Sequence, residues 1–111
     1  MDTIKTLVIE PLRRPELRDI DPTITTIGKT IGGYAEPLPL DRRTTLWCDE
    51  EGAIKNLKPN RTIRLSQDSR LADAGKPIII RGTFVITGPH PQDGPLGLDD
   101  EQIGRYAAMF A

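Results

Sequence analysis

The sequence predicts an α+β fold, in which a mainly antiparallel sheet of five or six short strands carries two short helices on one face. Short β-branched segments that recur along the chain predict the strands. Two helix signatures stand far apart in the sequence. Ten glycines and ten prolines among 111 residues predict many turns. This length fits one domain, which we place at 1–111.

The first predicted elements are two strands. Residues 5–9 (KTLVI) are almost continuously apolar, which predicts a buried strand that stops at Glu10-Pro11. Residues 15–20 (PELRDI) are short and alternating, which predicts a strand at the edge of the sheet.

A helix is predicted to follow. Asp21 is suited to the N-cap and Pro22 to the first helical position. Gly32 and Gly33 supply the positive φ that ends a helix. Because its residues are largely β-branched, this helix needs packing against the sheet to be stable. Its apolar stripe is spaced i, i+3 and i+7: Ile24, Ile27 and Ile31.

The middle of the chain predicts an edge segment and a hairpin. Residues 34–40 (YAEPLPL) contain two prolines, which limit them to a sheet edge or a loop. Residues 44–49 (TTLWCD) and 53–57 (AIKNL) flank the turn 50–52, which predicts a β-hairpin. Gly52 occupies the turn position that favours a positive φ.

Two further strands are predicted before a long loop. Residues 61–65 (RTIRL) form the first, and 77–87 (PIIIRGTFVIT) the second, which is continuous enough to lie centrally. Gly82 inside it predicts a bulge or a close backbone approach. Residues 88–97 (GPHPQDGPLG) form a loop.

The second helix has a complete start signature. Asp99 is the predicted N-cap and Gln102 its capping-box partner, while Leu98 and Ile103 are spaced as a hydrophobic staple. The apolar stripe of this helix is Ile103, Tyr106 and Phe110.

Charge is unevenly distributed along the chain. The net charge is −1, which argues against a generally basic nucleic-acid coat protein and against an acidic DNA mimic. Residues 55–81 contain seven basic and two acidic side chains, a net charge of +5, so the remainder carries −6. Such a segment is either a scattered solvated surface or a patch that binds anions.

Two motifs that could indicate catalysis are weak. Gly28-Lys29-Thr30 ends like a P-loop, but the pattern needs a glycine at position 23, where the chain has Thr23, and the three residues fall inside the predicted helix. His90, the one histidine, lies between two prolines in a predicted loop, which favours an exposed residue without a catalytic role.

Acidic and thiol side chains occur together near the predicted hairpin. Asp49, Glu50 and Glu51 could bind magnesium or calcium, but consecutive residues point in different directions, so we interpret them as a solvated acidic tip. One cysteine and one histidine do not make a zinc site. Cys48, next to Trp47 on a strand, fits a small buried hydrophobe better than a nucleophile.

The basic, amide-rich stretch is the best candidate for a binding site. Lysine, arginine and asparagine side chains bind phosphate without catalysis. We therefore predict a non-enzymatic protein that contacts a small phosphate-bearing anion or an acidic protein surface, with no cofactor. The predicted contact residues are Lys58, Asn60, Arg61 and Arg64.

Several segments, taken in order, resemble one known family. They are LVIEP near the start, IGGYAE (31–36), CDEEGAIKNLKPNR (48–61), IRGTFVITG (80–88) and LDDEQIGRYAAMF (98–110). Together they resemble the domain of unknown function 3846, found in phages, plasmids and other mobile elements. The family has no established catalytic residues. The resemblance implies an accessory protein made inside a bacterial cell, where it would act on host components.

Two alternatives remain open. The chain could be a metal-dependent enzyme on nucleotides or nucleic acid, with Asp49 and Glu50 as ligands. It could instead be an assembly protein that forms a homodimer through a sheet edge, either 34–40 or the strand RGTFVIT. No membrane-spanning run or signal sequence is recognisable and Cys48 has no cysteine partner, so we expect a cytoplasmic protein.

Overall fold

The structure, a computed structural model, describes residues 2–67, 75–91 and 94–111. Parts of the polar segment 66–77 and of the loop 88–97 therefore lie outside the described residues. In chain order, the elements are β1 (Ile4–Ile9), β2 (Glu16–Ile20), α1 (Ile24–Ile31), β3 (Ala35–Asp41), β4 (Thr44–Asp49), β5 (Pro59–Arg64), β6 (Pro77–Arg81), β7 (Phe84–Thr87) and α2 (Asp100–Met109).

The strands form one large sheet and one ribbon. The large sheet has the order β2-β1-β7-β4-β3, and every pair in it is antiparallel. Ile86 of β7 lies between Leu7 of β1 and Leu46 of β4, so β7 is central. Strands β5 and β6 pair antiparallel as a separate two-stranded ribbon. The predicted α+β class with a mainly antiparallel sheet is confirmed.

The two helices cover opposite faces of the sheet, which corrects the prediction that both lie on one face. Trp47 and Val85 pack with Ile27 of α1. Their chain neighbours Leu46 and Ile86 point the other way and pack with α2 and the ribbon. The physical reason is that β1, β4 and β7 are apolar at consecutive positions, and such strands must be covered on both faces.

Segment 77–87 contains two strands rather than the predicted one. Gly82 has a φ of +77°, and the chain breaks there between β6 in the ribbon and β7 in the sheet. A Cβ at Gly82 would lie 2.8 Å from Cδ1 of Leu57, so the backbone approaches a side chain closely. The close backbone approach predicted at Gly82 is therefore confirmed. The predicted central position in the large sheet is confirmed for β7 but not for β6.

The predicted hairpin between 44–49 and 53–57 is wrong. Strand β4 uses both of its edges for β3 and β7, so no edge remains for a third partner. Residues 50–56 instead form successive turns, in which Leu57 N donates to Gly52 O at 2.9 Å. The positive φ in these turns is at Asn56, at 55°, and not at Gly52.

Helix α1 begins two residues later than predicted. Thr23, not Asp21, is its N-cap, and the Thr23 hydroxyl accepts a hydrogen bond from Thr26 N at 3.1 Å. Gly32 ends the helix with a φ of +83°, as predicted. Ile24, at the start of the predicted stripe, is half exposed, while Ile27 and Ile31 are buried.

Helix α2 follows its prediction closely. Asp99 is the N-cap and forms a reciprocal capping box with Gln102. The three stripe residues all pack in the core with Leu98: Ile103, Tyr106 and Phe110. Within the described residues, no helix is long and apolar enough to cross a membrane.

The other predicted strands are confirmed. Segments 5–9 and 61–65 overlap β1 and β5, while 15–20 and 34–40 overlap β2 and β3, the two edge strands of the large sheet. Of the two strands considered for self-association, the one that contains β7 is central and already paired on both sides.

Candidate functional site

Asn60, one of the predicted contact residues, holds the ribbon to the large sheet. Its Nδ2 donates two hydrogen bonds of 2.9 Å, one to Ile9 O at the end of β1 and one to Gly82 O at the strand break. The amide therefore satisfies two backbone acceptors where two sheets meet. This is a structural role that the sequence prediction did not include.

Arg61 joins the ribbon to the end of α2. Its guanidinium donates to Phe110 O at 2.9 Å, to Arg13 O at 2.7 Å and to Asn60 Oδ1 at 2.7 Å. A cation at a helix C-terminus is favoured because the last carbonyls carry partial negative charge. Arg61 is thus engaged with the backbone of two other segments.

Lys58 and Arg64, the other two predicted contact residues, are exposed. Arg64 Nη1 donates to Gly75 O at 2.9 Å, across the ribbon. Asn60 and Arg61 are brought together at the junction with β1 and α2, whereas Lys58 and Arg64 lie outside that set of contacts. The binding role of these four residues stays a prediction.

The acidic residues 49–51 were interpreted from the sequence as solvated, but Asp49 is not. The side chain of Asp49 is buried, accepts from Lys55 Nζ at 2.8 Å and accepts from Glu51 N at 2.8 Å. Burial raises the pKa of Asp49, but these hydrogen bonds and the charge of Lys55 outweigh it and leave the pKa below its ordinary value. Lys55 thus occupies the position that a cation would take beside this carboxylate.

The burial of Cys48 and the exposure of His90 agree with the sequence prediction. Cys48 is buried in the core, and burial, reinforced by the charges of Glu36 and Asp49, raises the pKa of its thiol to about 12. His90 is exposed and its ring meets Trp47 edge-on at 4.7 Å between centroids. Within the described residues, no group of three or more histidine, cysteine or acidic side chains could hold a metal ion.

A polar cavity of about 350 Å³ lies between the β3–β4 turn and α2. We call it the arginine cavity, because three arginines line it against two carboxylates, a net charge of +1. Arg42 and Arg43 come from the turn, and Arg105 comes from the helix. The lining carboxylates are Asp41 and Glu101.

The turn that carries two of these arginines is fixed from both sides. Asp41 Oδ1 accepts from Arg43 N at 2.7 Å, which closes the turn locally. From α2, Gln102 Nε2 donates to Arg43 O at 2.9 Å and to Thr44 Oγ1 at 3.0 Å. The capping-box glutamine therefore also positions the turn against the helix.

The floor of the cavity contains a hydrogen bond between Tyr106 and Asp41. Burial and the neighbouring carboxylate raise the pKa of Tyr106 to about 12. Burial acts to raise the pKa of Asp41 as well, but hydrogen bonds from Tyr106, Arg43 N and Thr44, with the charge of Arg105, lower it below its ordinary value. At neutral pH the phenol is protonated and the carboxylate ionised.

Ion pairing differs among the cavity arginines. Arg43 Nη2 lies 2.5 Å from Asp99 Oδ2, so this cation is paired with the N-cap of α2. Arg105 lies with its Cζ 5.6 Å from the ring centroid of Tyr106, close to the cavity floor. Guanidinium groups suit the oxygens of phosphate and carboxylate, so the arrangement can hold a small anion.

Comparison with protein families gives a match over nearly the whole chain. The model of a family described as Domain of unknown function (DUF3846) matches residues 4–111. The chain belongs to this family. Comparisons of this DUF3846 chain with curated proteins and with solved structures gave no match.

Sequence reasoning missed the arginine cavity of the DUF3846 chain. The signal that could have indicated it is the pair Arg42-Arg43 at a tight turn after a strand, together with Arg105 one position before the buried Tyr106. These residues stand outside the basic segment 55–81, on which the sequence argument concentrated.

Proposed function

We propose that this DUF3846 protein is a non-enzymatic binding protein for a small phosphate-bearing ligand, held in the arginine cavity. The observation that carries the proposal is that three arginines from two separate elements line one polar cavity. Arginine is the preferred side chain for planar, bidentate recognition of phosphate oxygens. This ligand class is the one predicted from the sequence, but the proposed binding site is the arginine cavity and not the β5–β6 ribbon.

The residues that line the cavity favour a ligand that carries both an anionic group and hydrogen-bond donors. The arginines offer donors to phosphate oxygens, while Asp41 and Glu101 can accept from a hydroxyl or amino group of the same ligand. A volume of about 350 Å³ is at the small end of ligand sites. A phosphorylated sugar or a similar compact metabolite meets these requirements.

Protonation states in the cavity support binding without catalysis. A general acid or base works best when its pKa lies near the operating pH. The pKa of Tyr106 is raised to about 12 and that of Asp41 is lowered, so both are far from neutrality. The engagement of Asp49 with Lys55 also gives no support to the metal-dependent alternative.

The proposal is tested by calorimetric titration of the full chain with inorganic phosphate, pyrophosphate and ribose 5-phosphate. The double variant Arg42→Ala/Arg105→Ala should bind about tenfold to hundredfold more weakly, because hydrogen bonds to charged groups are lost. Arg14→Ala removes an exposed arginine from another part of the chain and is the matched control. Equal affinities of the double variant and the control would remove the cavity as the site.

The competing possibility is that the ligand binds at the residues predicted from the sequence. Lys58→Ala/Arg64→Ala should leave the affinity for these small phosphates unchanged, because neither side chain lines the arginine cavity. If this pair of substitutions abolishes binding while Arg42→Ala/Arg105→Ala does not, the ligand binds at the ribbon.

The biological setting is a separate proposal. We propose an accessory protein of a phage or mobile element that acts in the cytoplasm of a bacterial host, as the resemblance noted from the sequence implies. The single, buried cysteine suits a reducing compartment. Affinity capture from host lysate, followed by mass spectrometry of proteins and small molecules, tests whether a host protein or a phosphorylated metabolite is retained.

A further inference from the structure

The β5–β6 ribbon has one apolar face and one polar face. Ile63 and Ile80 point inward and are buried in the core that also holds α2. Four exposed side chains form the outer face as two cross-strand pairs: Thr62 with Ile79, and Arg64 with Pro77. The outer face is therefore an accessible surface supported by a packed base.

The ribbon is basic throughout its described length. Residues 58–67 and 75–81 contain five lysines or arginines and no aspartate or glutamate, in a chain whose net charge is −1. Arg61 donates inward to backbone carbonyls, and Arg81 Nη1 donates to Leu57 O at 3.1 Å. These two cations strengthen the local positive potential while holding the ribbon in place.

Three cations of the ribbon are exposed: Lys58, Arg64 and Lys76. Lys58 precedes β5 and Lys76 precedes β6, and because the strands are antiparallel the two lysines flank opposite ends of the outer face. Strand rise places them on the order of 20 Å apart. Arg64 pairs with Pro77 and so lies near the Lys76 end of the outer face, where it gives one of its five donors to Gly75 O.

We propose that the outer face of the β5–β6 ribbon binds the major groove of double-stranded DNA. A two-stranded β-ribbon fits this groove, which is about 12 Å wide, so lysines at both ends of the ribbon reach phosphates on either side. Thr62 and Arg64 then face base edges, and the exposed Ile79 faces thymine methyl groups.

The geometry favours DNA over other anionic partners. The major groove of an RNA duplex is too deep and narrow for side chains to read. Single strands are bound mainly by aromatic stacking, and the exposed aromatic rings of the described residues, Tyr34 and His90, both lie outside the β5–β6 ribbon. Three exposed cations indicate modest, salt-dependent affinity, on the order of 10⁻⁴ to 10⁻⁶ M without a preferred sequence.

Fluorescence anisotropy of a labelled 20-base-pair DNA duplex tests the proposal with the full chain. Between 50 and 200 mM salt, the logarithm of the association constant should fall against the logarithm of the salt concentration with a slope of about −2, one for each of the two lysine–phosphate contacts. Lys58→Ala and Lys76→Ala should each reduce this slope by about one. Lys29→Ala, an exposed lysine on α1, is the matched control and should leave it unchanged.

Two further measurements distinguish the ribbon from the arginine cavity, and DNA from other polyanions. Arg105→Ala should not alter DNA affinity, because the arginine cavity is a different site. An RNA duplex of the same sequence and polyglutamate should bind more weakly than the DNA. The proposal is overturned if the DNA does not bind at 50 mM salt, if the lysine variants keep the full slope, or if RNA or polyglutamate binds equally well.

Discussion

Tyr106 and Asp41 are separated by 65 residues in sequence, and the hydroxyl of one donates a hydrogen bond to the carboxylate of the other. This contact connects the middle of α2 to the end of β3, at the floor of the arginine cavity. It keeps the carboxylate ionised and the phenol protonated. The stability of the fold and the charge of the candidate site therefore depend on the same pair.

Removal of this contact should be measurable as lost stability. Tyr106→Phe keeps the buried ring but removes the donor, so we expect a decrease of about 1.5–3 kcal/mol in the free energy of unfolding in urea. Tyr34→Phe, at an exposed tyrosine, should change it by less than about 0.5 kcal/mol. Equal effects of the two substitutions would mean that the contact contributes nothing.

Acid should destabilise the protein through carboxylates with lowered pKa values. Asp41, Asp49 and Asp99 all have a folded pKa below the ordinary value of 3.8. Their stabilisation is complete above that value and is lost as the pH falls through the lower folded values. The free energy of unfolding should therefore decrease steadily below about pH 4.

The contribution of one of these carboxylates can be isolated. Asp49→Asn should flatten the decrease in stability between pH 5 and pH 2, because the amide does not titrate in this range. Asp19→Asn, at an exposed position of β2, serves as the control. An unchanged pH dependence in Asp49→Asn would show that the Lys55 pair does not stabilise the ionised form.

A pair of glycines gives opposite predictions. At Gly33 a Cβ would lie 2.3 Å from Asp49 Oδ2 and 2.9 Å from Lys55 Nζ, so Gly33→Ala should cost about 1–3 kcal/mol. At Gly104, in α2, a Cβ meets nothing within 4 Å, and Gly104→Ala should stabilise by about 0.5–1 kcal/mol. Thermal or urea unfolding of both variants checks the sign, and stabilisation by Gly33→Ala would contradict the packing.

Asn60 should matter for folding more than for ligand binding. Asn60→Ala leaves Ile9 O and Gly82 O without their donor and should cost about 1–3 kcal/mol. Lys58→Ala, two residues away and exposed, should be nearly neutral. If Asn60→Ala keeps full stability but loses phosphate affinity, the ligand contact predicted from sequence is correct and the structural assignment is not.

The features that could be predicted from the sequence were those that depend on residues close together in the chain. The capping box of Asp99 and Gln102 lies within one turn of chain, so its prediction needed no knowledge of the rest of the fold. The start of α1 moved to Thr23, where the hydroxyl makes the capping bond that Asp21 was expected to make. Such shifts of two residues are common when several capping residues stand together.

Long-range pairing was less predictable. Segment 53–57 stands next to β4 in sequence and looks like its hairpin partner, but β3 and β7 occupy both edges of that strand. Likewise, the approach of Arg105 to the turn at Arg42 depends on how α2 docks onto the sheet. The sequence shows the arginines and the strand-like segment, but no local pattern in it specifies how they are arranged in the fold.

The most direct test of the account is the ratio of dissociation constants for a phosphate-bearing ligand such as ribose 5-phosphate between two variants. We predict that the dissociation constant of Arg105→Ala is about ten or more times that of Arg14→Ala, since a hydrogen bond to a charged group is removed from the cavity. A ratio of one, with both variants folded and binding as the unmodified chain does, would contradict the assignment of the arginine cavity as the binding site.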